Sequence, residues 1–384
     1  MSRGGRKGGV AVYVTSHGFG HLNRTAAVVN RIPREIPVSI RCDSNLFGLW
    51  PKRVDRPIEL GQYVSDSGAV NPPGDSNTTD GSATIERAIR AYAQAMEGLD
   101  DEVRWLEEHE IAAIIADAPA VPMMVARRAG IPGFVMSNFT WADIYAPYAR
   151  ATGGEALGLV ADLRRAYRQA TALLRMQPAL RMAWLRPAFD VGMVVNRGRD
   201  RRAELRRELD LSRREKVVYL YIGRYGQDDL DWSRLGRMGE RGIHFVSYEP
   251  APGGGPANFH QMSGAGWTGG ELIASTDAVV AKAGYSTACE AMASGTPMIY
   301  GPRRGFAEFR SLDQTLRSWP GGFPVPSRDF QGFRLERILE QALAIDPGPP
   351  PFPTDGAARI ARFLARVCRN PSAAEASRLK EHFP

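Results

Sequence analysis

The residues best suited to chemistry fall in four short glycine-bearing segments. In the first, His17-Gly-Phe-Gly-His21 and Arg24 follow an apolar run. Gly18 and Gly20 permit a tight turn and close approach of a ligand to the backbone. His21 opens a helix at the carboxyl edge of a sheet, where open α/β sheets bind ligands. A histidine titrating near neutral pH is a candidate general base there. The alternative is a structural glycine turn with a locally bonded histidine. His17 and His21 have a zinc-like spacing but no further clustered ligands, so no metal site is expected.

The second segment, residues 281–297, holds Lys282, Gly284, Ser286, Thr287, Glu290 and Gly295-Thr-Pro297. It leaves a strand and opens a helix. Gly284 permits backbone approach, Ser286 and Thr287 offer hydroxyls, and the helix N-terminus suits a diphosphate. Glu290, one turn in, is placed to accept both hydroxyls of a ribose. Thr287 and Glu290 also spell a capping box, which needs no ligand. The third segment, Tyr221-Ile-Gly-Arg-Tyr-Gly226, is another glycine turn at a sheet edge, with Gly223 and Arg224 as donor-side candidates. Asp229 and Asp231 beyond it have a metal-binding spacing, but acidic residues are common in a helix first turn, so they are discounted. In the fourth segment Arg303 and Arg304 could fork onto phosphate oxygens and Glu308 could accept sugar hydroxyls. A solvated polar loop is the alternative there.

The chain of 384 residues, 43% hydrophobic and 24% charged, has the length of two domains. No apolar window is long enough to cross a membrane, and the basic start precedes too short an apolar run for a signal peptide. Three scattered cysteines exclude a disulfide scaffold and a cysteine zinc cluster, and favour a reducing, cytoplasmic compartment. Of the net charge of +7, residues 197–216 carry nine basic against five acidic side chains. That stretch reads as a solvated helical surface, with a phosphate ligand or peripheral membrane contact as the alternative. It lacks interleaved aromatics, so a nucleic-acid partner is not expected.

Apolar runs alternate with helix-patterned segments, the order of an α/β fold with parallel sheets. Strands are expected at 10–15, 38–41, 111–116, 133–136, 192–195, 217–222, 244–247, 278–281 and 298–300. Helices are expected at 21–31, 83–108, 121–129, 155–175, 287–293, 308–318 and 333–344. Residues 65–82 read as a long polar loop. A Pro-rich break at 347–353 precedes a final helix over 356–369. The expected domains are 1–196, 197–354 and a C-terminal helical piece, 355–384, packing back on the first.

Taken together, these motifs resemble the GT-B glycosyltransferases, including UDP-glycosyltransferases and the N-acetylglucosaminyltransferase that forms lipid II. Residues 282–297 are similar to their donor-binding signature, and Gly20-His21 to their amino-terminal Gly-His. A nearer resemblance is to the glycosyltransferase-like amino-terminal half of L-arabinokinase-type proteins. It is carried by His17-Gly-Phe-Gly-His21 with Arg24, by Ser137-Asn-Phe-Thr-Trp-Ala-Asp-Ile-Tyr145, and by Lys282-Ala-Gly-Tyr-Ser-Thr with Glu290. Nothing resembles the sugar-kinase domain of those proteins, so arabinose phosphorylation is not carried over.

The resemblance implies two facing Rossmann-like domains, the second holding a nucleotide-sugar donor and the first an acceptor. Asp117 resembles the aspartate that supports the histidine base in UDP-glycosyltransferases; a helix-capping Asp117 is the alternative. The expected function is metal-independent, inverting transfer from a nucleoside-diphosphate sugar, uridine favoured, with no other cofactor. The acceptor would be a small molecule or lipid, lined by residues 65–82 and 139–148. A non-catalytic nucleotide-sugar-binding module and a sugar-nucleotide 2-epimerase are the alternative functions.

Overall fold

The structure is a computed structural model that describes residues 8–15, 17–73, 75, 77–221, 230–262, 266–374 and 376–383. It divides into two compact units. The first comprises Met1–Val70, Asp80–Val195 and Phe352–Pro384, and the second Asn71–Thr79 and Asn196–Pro351.

In chain order the first unit runs β1 (Gly9–Val14), α1 (Phe19–Val29), β2 (Val38–Cys42), β3 (Glu59–Gln62), α2 (Gly81–Glu97), α3 (Leu99–Glu108), β4 (Ile111–Asp117), α4 (Val121–Ala129), β5 (Gly133–Ser137), α5 (Trp141–Thr152), α6 (Glu155–Tyr167), β6 (Ala172–Met176) and β7 (Ala188–Gly192). The seven strands are all parallel, in the order β3-β2-β1-β4-β5-β6-β7. Both faces of such a sheet are covered, so β1, β4 and β5 are buried almost along their length. The chain builds outward from β1 to β3, then restarts at β4 on the other side. The β1/β4 junction is therefore the switch point, whose carboxyl edge opens a crevice.

The second unit runs α7 (Arg202–Glu208), β8 (Lys216–Tyr221), α8 (Trp232–Met238), β9 (Ile243–Ser247), β10 (Phe259–Gln261), α9 (Gly269–Ser275), β11 (Ala278–Lys282), α10 (Tyr285–Ser294), β12 (Met298–Gly301), α11 (Glu308–Ser318), β13 (Gly322–Pro324), α12 (Ser327–Gln331) and α13 (Glu336–Ala344). Its parallel sheet has the order β10-β9-β8-β11-β12-β13, with the switch point between β8 and β11. The chain then returns to the first unit as α14 (Gly356–Arg369) and α15 (Ala376–His382). α14 buries Ile360, Phe363, Leu364 and Val367, and Phe363 meets Phe134 of β5 edge-on at 4.9 Å.

Several expectations are corrected. Residues 172–176 form a strand, not the end of a helix. Ala, Leu, Arg and Met favour helix, but pairing to β5 and β7 buries Leu173, Leu174 and Met176 fully and overrides the propensity. The single helix expected over 83–108 is two helices that meet at Gly98. The strand expected at 192–195 lies earlier, as β7, and β3, β10, β13, α5, α9, α12 and α15 were not anticipated. Residues 197–216 hold only one short helix. Arg202 and Arg206 there pair with Asp277, and Arg201 with Glu204 and Glu271, so part of that positive charge is neutralised within the unit. The polar loop at 65–82 is divided: Asn71–Thr79 belongs to the second unit. There the Arg304 N–H donates to Asn77 O at 2.7 Å, and the Thr79 N–H to Arg304 O at 3.2 Å.

Candidate active site

In the first unit, β1 ends at Val14, and Gly18 turns the chain into α1 with φ +79°, a conformation that favours glycine. α1 begins at Phe19, so Gly20 lies inside the helix rather than in the turn before it, a correction to the expected loop position. His21 occupies the third helical position. Arg24 and Thr25 follow three and four residues later, on the same helix face. Parallel pairing sets Val14 opposite Asp117, the last residue of β4. The β1/β4 register thus delivers a carboxylate to the first turn of α1.

There the side chains interlock. Asp117 is fully buried and His21 is 6% exposed. His21 Nδ1 lies 2.9 Å from Asp117 Oδ1. Arg24 donates from Nε to Asp117 Oδ2 at 2.8 Å and from Nη2 to Oδ1 at 2.5 Å. The Thr25 hydroxyl donates to Oδ2 at 2.9 Å. Asn138, just beyond β5, accepts from Arg24 Nη1 at 2.8 Å. Burial by itself would raise the Asp117 pKa. The charge of the Arg24 guanidinium and its hydrogen bonds overcome it and hold the carboxyl well below the usual range. α4 is capped at Ala120 without a side-chain bond, so Asp117 is not a helix cap. Sequence reasoning assigned no role to Thr25, Asn138 or Arg24. The three- and four-residue spacing from His21 was the available signal for the two on α1. Asn138 had none.

Nearby, buried Asp66 accepts from the Thr15 hydroxyl, and burial pushes its carboxyl up to about 6. His17 packs edge-on against Trp141 at 5.3 Å, and His21 against Phe139 at 5.6 Å. Among the described residues no three His, Cys, Asp or Glu side chains cluster as a metal site.

In the second unit, β11 ends at Lys282, opposite Gly301 of β12. The N-cap of α10 is Gly284, and no side chain caps it. The capping-box reading of Thr287 and Glu290 is therefore overturned. The helix starts three residues too early for Thr287 to cap it, leaving Ser286 and Thr287 in its first turn and Glu290 in the second. A Cβ on Gly284 would meet no described atom within 4 Å. The protein's own packing does not demand glycine there, while a ligand approaching the helix N-terminus would use the space.

Glu290 is 6% exposed and has no hydrogen bond to any described residue; burial pushes its carboxyl up to about 8. Lys282 is lowered to about 8, by burial and then by the charge of Arg303. Arg303 and Glu308, expected to serve phosphate and sugar separately, lie together: Arg303 Nη1 is 3.6 Å from Glu308 Oε2, and its guanidinium stacks on Phe306 at 3.7 Å. Arg304 is exposed. Asp231 caps α8, accepting from the Arg234 N–H at 3.1 Å. Gly223, Arg224 and Asp229 lie outside the described residues.

Comparison with known proteins bears on this arrangement. No protein-family model matches the chain. It is 28% identical to L-arabinokinase of Arabidopsis thaliana over 343 residues, which are 88% of this chain and 32% of that protein. The chain thus spans about a third of that relative's length. Among solved structures it resembles the glycosyltransferase of kitacinnamycin at TM-score 0.61 and 15% identity, covering 98% of this chain and 99% of the other. It resembles UGT2 of Phytolacca americana, solved with UDP-2-fluoro-glucose and pterostilbene, at 0.61 and 14%, covering 97% and 98%. The calicheamicin glycosyltransferase CalG4 aligns at 0.60 and 12%, covering 98% of both chains.

The chain has the GT-B fold. Both Rossmann-like sheets are parallel here, and each candidate cluster sits at the carboxyl edge of its own sheet's switch point. Among the described residues, no helix is long and apolar enough to cross a membrane.

Proposed function

We propose that the protein is a glycosyltransferase that moves a sugar from a nucleoside-diphosphate sugar to a hydroxyl of a small-molecule or lipid acceptor, without a metal. The observation that carries this reading is the buried His21–Asp117 pair at the β1/β4 switch point. With Nδ1 turned to Asp117, His21 acts through Nε2. That nitrogen takes the acceptor's proton as the acceptor oxygen bonds to the anomeric carbon and the bond to the diphosphate oxygen breaks. Attack opposite the leaving group inverts the anomeric centre. The departing diphosphate gathers negative charge, which the N–H groups at the start of α10, Lys282 and Arg304 serve to stabilise. Glu290 accepts the ribose hydroxyls: it is a buried carboxyl without a hydrogen bond among the described residues, and a diol supplies two donors. Uridine diphosphate is the favoured donor nucleotide, supported by the UDP-sugar in the Phytolacca americana relative.

The test is a thermal-shift screen of nucleotides and nucleotide sugars, then mass-spectrometric detection of transfer to a panel of hydroxylated acceptors. His21→Ala should leave nucleotide affinity nearly unchanged and lower transfer by about 10²–10⁴-fold, the usual share of general base catalysis. Full transfer by that variant refutes the base assignment. Donor binding without product from any acceptor favours a binding module. Isomerised sugar with free uridine diphosphate favours a 2-epimerase.

A further inference from the structure

The His21–Asp117 pair contains a third ionised group. Arg24 is 2% exposed, and its fork grips both oxygens of Asp117 at 2.8 and 2.5 Å. The same Nη2 lies 2.8 Å from His21 Nδ1, while Asp117 Oδ1 lies 2.9 Å from that nitrogen. A guanidinium only donates and keeps its charge at any physiological pH. One positive and one negative group therefore stand at nearly equal distance from the ring. Their Coulomb effects on an imidazolium are opposite in sign, so at this contact they oppose each other.

Thr25 and Asn138 are uncharged, and Phe139 presents an apolar edge at 5.6 Å. His17, from the turn before α1, is a second titratable ring near the site, with its centroid 6.4 Å away. Asp66 acts on Asp117 as a like charge. His21 is also largely withdrawn from water, and burial disfavours the imidazolium.

We propose that Arg24 is a positioning residue for the transfer step: it fixes the Asp117 carboxylate in a fork and cancels its charge at His21, holding the imidazole neutral. A base must be neutral before it takes the acceptor's proton. A carboxylate acting alone would raise the histidine's proton affinity and fill the site with imidazolium near neutral pH. With Arg24 in place, Asp117 orients the ring and receives the Nδ1 proton's hydrogen bond without charging it. This inference rests on the base role assigned to His21 above.

The test is a pH titration of the intact protein by NMR with ¹⁵N-labelled histidine, which needs neither donor nor acceptor. The chain has six histidines, and the His21 signals are those lost in His21→Gln. In the parent, His21 should carry its proton on Nδ1 at pH 7 and titrate at or below about 6.5, the ordinary histidine value. Arg24→Gln should move that midpoint up by about one pH unit or more, because Asp117 is then uncompensated. Arg24→Lys keeps the charge but not the fork, and should stay closer to the parent than to Arg24→Gln. A parent midpoint above about 6.5, or a midpoint in Arg24→Gln that is unchanged or lower, overturns the proposal. The parent titration decides even if Arg24→Gln does not fold. A parent proton on Nε2 would instead remove His21 as base, while the midpoints still decide whether Arg24 cancels Asp117.

Discussion

Glu290→Gln tests the second-unit site most directly, because amide and carboxyl have nearly the same shape and the helix cap does not involve this residue. Burial raises the Glu290 pKa from 4.5 to about 8. The ionised form is therefore disfavoured in the folded protein by a few kcal/mol. The sign follows from linkage. Below pH 4.5 both folded and unfolded chains hold the proton, and Glu290 contributes nothing to pH dependence. Between 4.5 and 8 the unfolded chain loses it and the folded chain keeps it, so stability falls as pH rises. Above 8 the loss levels off. Glutamine cannot ionise and should lack this decline. Urea unfolding of parent and variant at pH 5 and pH 9 isolates it, since the other titrating groups are common to both. The parent should lose a few kcal/mol more than the variant. A ribose diol reverses the penalty by donating two hydrogen bonds to the carboxylate. Uridine diphosphate should therefore bind the parent more tightly as pH rises through this window, whereas Glu290→Gln should bind about 1–3 kcal/mol more weakly, with that pH dependence lost. Calorimetry in two buffers of different ionisation enthalpy reads the released proton. Equal stability losses in the two proteins would mean that Glu290 stays ionised in the fold. Equal nucleotide affinity would remove its ribose role.

Asp117→Asn should be costly for the fold as well as for transfer: it leaves the Arg24 guanidinium buried without a counter-ion, a loss of about 3–5 kcal/mol measurable by urea unfolding. A loss under 1 kcal/mol would show that Arg24 escapes to solvent. Arg304→Ala should weaken uridine diphosphate more than uridine in calorimetry, since exposed Arg304 is assigned to phosphate; equal losses point to the backbone contacts with Asn77 and Thr79 instead. Phe19, 53% exposed in the first turn of α1, should tolerate Ser within about 0.5 kcal/mol of stability. A larger loss in urea unfolding would show that the ring packs against the rest of the first unit.

The sequence by itself determined the class of fold and the place of both candidate sites. Runs of buried β-branched and aliphatic residues separated by helical periodicity suit covered parallel sheets, and glycine turns after β1 and β11 mark the carboxyl ends of the two strands. Local signals also located the final helix, because the break at 347–353 and the amphipathic pattern over 356–369 need no distant partner to be read. Tertiary structure alone decided everything that depends on pairing between remote segments. Leu173 and Leu174 have good helix propensity, and only burial between β5 and β7 makes them strand. Thr287 and Glu290 have the spacing of a capping box, but the helix start is set by how β11 delivers the chain to Gly284, which leaves Glu290 without a hydrogen bond among the described residues. Asn71–Thr79 joins the second unit through backbone bonds to Arg304, over 220 residues away in sequence. Likewise His21 and Asp117 are 96 residues apart, and Arg24 becomes part of their pair only because the β1/β4 register brings a carboxylate under the first turns of α1. Spacing along one element is written in the sequence. The electrostatic balance at a site is not, because it depends on distances of a few ångström between residues that the chain itself keeps far apart.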